Sequence, residues 1–196
     1  VLDASKSSDS YCRVLLPAFL DEFGDGKLVV SYKDADPQDE TKWTALMGRV
    51  QNEDYPYVQF CIRNNATLAN GLEITQRQEA AQGAWAVKKT ASTSSKVADA
   101  FNNFELLFQN NHITGYINGN KVISYDSQSH DTGAWGFQVR GAKMIIDSVK
   151  FTLGETTARE DTAVSCYVAK TRPAIGCNAG QTVLLDQCFV QFAEGT

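Results

Sequence analysis

"NNHITGYINGNKVISYD", residues 110–126, decides how this chain is read. Two short runs alternate apolar and polar side chains on either side of Asn118-Gly119-Asn120. Ile113 and Ile117 fall on one face of the first run, opposite Thr114 and Tyr116. Val122, with Ser124 or Tyr125, supplies the packing face of the second. A period of two belongs to a half-buried strand. Asn and Gly supply the positive φ that a tight hairpin turn needs. The stretch is therefore predicted to be a β-hairpin that serves as scaffold rather than as a binding element.

The pattern extends in both directions. Strand-like runs occupy 27–32, 43–50, 57–63, 72–77, 84–89, 104–109, 134–140 and 144–152, bounded mostly by Gly, Asn, Asp or Pro. In "YVQFCIR", Val58, Phe60 and Ile62 share one face, and Tyr57, Gln59, Cys61 and Arg63 share the other. In "LEITQR", Leu72 and Ile74 oppose Glu73 and Thr75. Helical periodicity is absent, apart from a single turn that "SSKVADAF" has room for. Many short strands with turn signals between them predict an all-β fold, a two-sheet antiparallel sandwich of jelly-roll type. Past Leu153 the polar "GETTAREDTA" reads as a linker. The expected division is a sandwich over 1–153 and a disulfide-containing extension, 154–196, packed on it or linked to it.

Composition narrows the partners. The 196 residues are 43% apolar and 21% charged, as in ordinary globular domains, with a net charge of −5 and a pI near 5.0. No Lys/Arg run exceeds two residues, so nucleic acid is not an expected partner. The longest apolar run, "VLLPAFL", is too short to span a bilayer and is broken by Pro17. Cys12, Cys61, Cys166, Cys177 and Cys188 form no CxxC pair and are joined by only two histidines. That spacing suits disulfides in an oxidising compartment better than zinc. Five is odd, so one thiol is expected to be free or paired between chains. Asn65-Ala66-Thr67 is a glycosylation sequon. These features point to a secreted, extracellular or cell-surface setting. The chain opens at Val1 without a signal-peptide pattern, as a processed or trimmed chain would.

The order of strand motifs resembles the concanavalin A-like lectin/glucanase superfamily. The motifs are Trp43…Gly48-Arg49-Val50, "YPYVQF", "GLEITQR", "GAWAV", "NNFELLFQNNHITGYINGNKVISYD" and "GAWGFQVRGAKMIIDSVKFT". Within that superfamily the chain looks most like laminin-G-like and 3-keto-disaccharide-hydrolase-like modules, over roughly 20–153. The first 19 residues and the cysteine-bearing tail lie outside the pattern. The resemblance implies a jelly roll, but such folds host lectins, hydrolases, lyases and adhesion modules alike. It also implies one structural Ca²⁺ between the start of the sandwich and its last strand. The matching positions are Asp147 and, in "DEFGDG", Asp21, Asp25 or a backbone carbonyl such as that of Gly24. The acidic loop of Asp34, Asp36, Asp39 and Glu40 is a second cation candidate, expected instead to be a solvated loop.

Several chemistries compete for the polar faces. A glycosidase needs two carboxylates about 5–9 Å apart. Glu73 is the one candidate in the middle strands, and it is expected to form a cross-strand ion pair with Arg63 or Arg77. Gln59, Arg63, Gln76 and Tyr116 supply lyase-type residues without a lyase motif. Ser129-His130-Asp131 are adjacent in sequence, which a fold-assembled triad does not require, and they read as a polar loop. A sugar site pairs an aromatic platform with hydrogen-bonding groups. Trp43, Tyr57, Gln59, Arg63, Glu73 and Trp85 form that candidate set, while Trp135 in "GAWGF" reads as structural. The expected function is a secreted, non-catalytic, lectin-like or adhesion module that binds a glycan or glycoprotein. A glycan-active hydrolase or lyase, and an extracellular structural protein assembling through homo-oligomers or disulfides, stay open.

Overall fold

The computed structural model describes residues 1–51, 56–77 and 85–153, together with the backbone of 165–167 and 189–191. The strands are β1 (Leu2–Asp3), β2 (Tyr11–Leu15), β3 (Gly26–Ala35), β4 (Trp43–Val50), β5 (Tyr57–Arg63), β6 (Leu72–Arg77) and β7 (Trp85–Ala91). They continue as β8 (Asn102–Gln109), β9 (His112–Ile117), β10 (Asn120–Asp126), β11 (Ala134–Arg140) and β12 (Lys143–Leu153). Two short strands, β13 (Ser165–Tyr167) and β14 (Phe189–Gln191), pair antiparallel with each other. The first twelve form two antiparallel six-stranded sheets, ordered β1-β12-β3-β8-β9-β10 and β2-β11-β4-β5-β6-β7. The two sheets sandwich one core, as the alternation predicts. No helix among the described residues is long and apolar enough to cross a membrane.

The period-two signal becomes packing directly. On β8, buried Asn102, Phe104, Leu106 and Phe108 alternate with more exposed neighbours. Val58, Phe60, Ile62, Leu72 and Ile74 face them from the second sheet in one continuous cluster. On β12 the inward set shifts from Met144 and Ile146 to Val149, Phe151 and Leu153. A bulge between Ile146 and Ser148 makes the shift possible by inserting one residue. Exposed Asp147 is the residue at that bulge.

The β9–β10 hairpin is as expected at its turn, where Asn118 and Gly119 have φ of 51° and 78°. Its second strand differs. The pairing slips between Lys121 and Ile123, so Ile123 is the buried residue, with Val122 and Tyr125 only partly buried beside it. A second difference concerns residues 1–19. β1 pairs with β12 and β2 with β11, extending each sheet by an edge strand. "VLLPAFL" is core, with Val14, Leu16 and Leu20 buried, and Pro17 ends β2 and opens a 3₁₀ turn over Ala18–Leu20. "SSKVADAF" forms no helix. The Asn102 side chain bonds Val97 N, Val97 O and Ala100 O, and these local bonds fix a turn instead.

Cys61 is a free, buried thiol and Cys12 is disulfide-bonded, so the two are not joined. The expectation of a disulfide at Cys61 is thereby corrected: across the sheet it faces Ala45 and Glu73, not a cysteine. The side chains of Cys166, Cys177 and Cys188, and the rest of 154–196, lie outside the described residues.

Candidate functional site

The second sheet turns Val58, Phe60, Ile62, Leu72, Ile74, Phe137 and Val139 inward, and the opposite residues, including a smaller buried apolar cluster of Leu15, Met47, Val50, Tyr57 and Ala134, form its outer face. The registers place Arg140, Trp43 and Arg63 in one row across that face. Gln138, Ala45, Cys61 and Glu73 form the next. Gly136, Met47, Gln59, Thr75 and Val87 form the third, and Tyr57, Arg77 and Trp85 meet beyond it. All six expected ligand-binding residues, Trp43, Tyr57, Gln59, Arg63, Glu73 and Trp85, therefore share one face.

Trp43 and Trp85 come from strands separated by β5 and β6, yet their ring centroids are 5.8 Å apart with planes tilted by 38°. Such a meeting requires a concave face on which the rings approach above the intervening strands. Trp43, Arg63, Glu73, Arg77, Trp85 and Arg140, with Thr41 and Lys42, line a pocket of about 360 Å³ there. Trp85 is 38% exposed. Trp135 is fully buried instead. Its Nε1 donates to Phe23 O at 2.8 Å, and its ring lies edge-on to Phe108 and Phe151.

The polar groups of the pocket are held in different ways. Arg63 donates to Asn70 O at 2.9 Å, Thr41 O at 2.7 Å and Glu73 Oε1 at 2.8 Å. Glu73 also accepts from Asn70 Nδ2 at 3.3 Å. The expected Glu73–Arg63 ion pair is thus present, but set into the face rather than solvated, with Glu73's side chain 5% exposed. Arg77 lies over the Trp85 ring, its Cζ 5.7 Å from the centroid, and its buried Nε has no hydrogen-bond partner among the described residues.

Deeper on the same face, Arg13 Nε donates to Gln138 Oε1 at 3.0 Å, and Gln138 Nε2 donates in turn to Gln59 Oε1. Arg13 also sits over the Tyr57 ring, 4.9 Å from its centroid. Gln59 is 0% exposed, and Tyr57 and Thr75 are also buried. Tyr57 and Gln59 therefore support the face without lining the pocket. Burial drives the Cys61 thiol well above its ordinary pKa, and the Glu73 charge adds to the shift.

The competing chemistries find less geometry. Glu73 is the only carboxylate among the described pocket residues. Of the lyase-type residues, Tyr116 is on β9 in the other sheet, and Gln76 has the inward parity of Leu72 and Ile74. Ser129 Oγ accepts from Arg49 at 3.3 Å and donates to His130 O at 3.3 Å, so it belongs to no triad.

The Arg49 guanidinium reaches Gly24 O at 3.4 Å, Asp25 Oδ1 at 3.4 Å, Asn110 O and Ser129 Oγ, and stacks on Phe108. A metal at Gly24 would share its oxygen with a fixed cation. Asp147 is exposed at its bulge, and no group of three or more His, Cys, Asp or Glu among the described residues is placed to hold a metal. In the acidic loop, Asp34 pairs with Lys96, Asp36 with Lys143 at 3.0 Å and Asp39 with Lys42 at 3.6 Å. Glu40 accepts from Asn65 Nδ2 at 3.1 Å, so the sequon side chain is itself engaged.

Lys42, Arg140, Arg13 and Gln138 were absent from the expected site. Alternation along β11 was the signal for Gln138 and Arg140, which share a face of that strand; Arg13 and Lys42 had none.

No protein-family model matches the chain, and no curated protein matches it in sequence. Solved structures do match its fold. A carbohydrate-binding module, CBM66 from Bacillus subtilis, superposes with a TM-score of 0.61 at 16% identity, covering 74% of this chain and 83% of that one. Galectin-Va of Xenopus laevis gives 0.54 at 10% identity, over 74% and 98%. Sheep galectin-11, solved in complex with glycerol, gives 0.52 at 10% identity, over 73% and 97%. The chain shares the two-sheet jelly-roll fold of these structures.

Proposed function

We propose that this chain is a non-catalytic carbohydrate-binding module whose ligand rests on the Trp43–Trp85 pair. The paired indoles carry this reading: two tryptophans from non-adjacent strands meet at an accessible pocket beside Arg63, Glu73, Arg77 and Arg140. An indole face stacks on the C–H face of a sugar ring, and neighbouring polar groups bind its hydroxyls. Kinship of fold with a carbohydrate-binding module and galectins supports it. Glu73, bonded to Arg63 and Asn70, serves here as an acceptor and a brace. A secreted or cell-surface location and glycosylation at Asn65 belong to the same proposal, resting on the cysteine pattern and the sequon.

Trp85→Ala should weaken binding to the best ligand of a glycan array about tenfold or more, the loss of a stacking anchor. Its melting temperature should stay close to the parent's. An array on which the parent binds no glycan would refute the proposal, as would unchanged affinity in the well-folded variant.

A further inference from the structure

The pocket sits on a chain of net charge −5, yet its described lining holds four cations, Lys42, Arg63, Arg77 and Arg140, and one carboxylate, Glu73. The cations are not equivalent. Arg63 is fixed by three acceptors, two of them backbone carbonyls, and so neutralises Glu73 and shapes the wall. Lys42 and Arg140 pair with Asp39 at 3.6 Å and with Asp9 at 2.9 Å, acids whose side chains are 47% and 81% exposed. Exposed pairs of this kind hold weakly and exchange readily. Arg77 differs from all three. Its guanidinium is braced on the Trp85 ring, and its Nε is buried without an acceptor among the described residues.

The Arg77 guanidinium lines the pocket, where its accessible N–H groups can take an oxyanion from a ligand. The planar fork of Arg matches a carboxylate or sulfate through two parallel hydrogen bonds. We infer that the ligand is an acidic saccharide, with Arg77 binding the carboxylate or sulfate of a ring that rests on Trp43 and Trp85. Lys42 and Arg140 contribute long-range attraction, and Arg63 contributes position. The inference rests on the carbohydrate-binding reading and adds the charge of the ligand to it.

The test is calorimetric titration of the full chain with matched pairs of oligosaccharides. Uronate oligomers are set against their methyl esters, and sulfated galactan oligomers against their desulfated forms. The charged member of at least one pair should bind about tenfold tighter than its neutral twin, and the gap should shrink as salt is raised. A gap in the uronate pair alone assigns a carboxylate, and one in the sulfated pair alone assigns a sulfate. Arg77→Gln should close most of the gap, weakening the charged member far more than its neutral twin. Arg77→Lys should fall between, keeping the charge without the fork. Neutral twins that bind as tightly as charged ones would overturn the acidic-ligand inference and leave the carbohydrate reading standing. A gap that survives Arg77→Gln would overturn the role of Arg77. Binding to no saccharide at all would remove both.

Discussion

The three tryptophans show how far a single residue could be read from sequence. Trp135 lies in "GAWGF" on a strand whose inward set includes Phe137 and Val139, and it is core. Trp43 and Trp85 fall on the opposite parity of their strands, and they meet across the outer face. The structural role of Trp135 was legible in "GAWGF"; the contact between the other two rings was not, because it depends on the curvature of a whole sheet. The energetics should separate the two classes. Trp135→Ala removes a fully buried indole and leaves Phe23 O without its donor. It should cost about 3–5 kcal/mol in urea unfolding. Trp85→Ala, at a partly exposed site, should cost about 0.5 kcal/mol or less. Similar costs for the two would show that Trp85 is a structural residue.

At the level of the element, the hairpin that opened the reading is scaffold, and two of its glycines serve different ends. Gly119 has φ +78°, and a Cβ there would meet nothing within 4 Å. Gly119→Ala therefore carries a purely torsional penalty, about 1–2 kcal/mol. A Cβ on Gly115 would lie 2.8 Å from Ile123 Cγ2 and 2.9 Å from the Phe60 ring. Gly115→Ala should cost about 1–3 kcal/mol through overpacking. A double-mutant cycle with Ile123→Ala distinguishes them: Gly115→Ala should couple to it favourably, and Gly119→Ala should not. Equal coupling at both sites would contradict the assignment. The turn was readable because Asn-Gly specifies its own dihedrals. The slip at Val122 was not, since nothing local in "NKVISYD" marks where a bulge resolves alternation against the core. The register shift between β4 and β11, where Val50 pairs with Ala134 but Met47 with Gly136, leaves Arg49 between them and was hidden for the same reason. The φ of 55° at Arg49 and its bonds to the Gly24–Asp25 loop depend on residues far along the chain.

For the molecule as a whole, the succession of strands and the two-layer architecture followed from turn spacing and alternation over 20–153; the order of strands within each sheet did not. The first 19 residues did not, because "YCRVL" offers only five residues of pattern and owes its strand to pairing with β11. The cationic pocket was equally hidden. Lys42, Arg63, Arg77 and Arg140 are scattered along the sequence, and the acidic total masks their convergence. The most direct test of that convergence uses the three indole N–H resonances of the chain. Titration of the full chain with the best-binding oligosaccharide, followed by heteronuclear NMR, should shift the Trp43 and Trp85 indoles in proportion to occupancy and leave Trp135 in place. Saturable binding that leaves both Trp43 and Trp85 unmoved would contradict the proposed site.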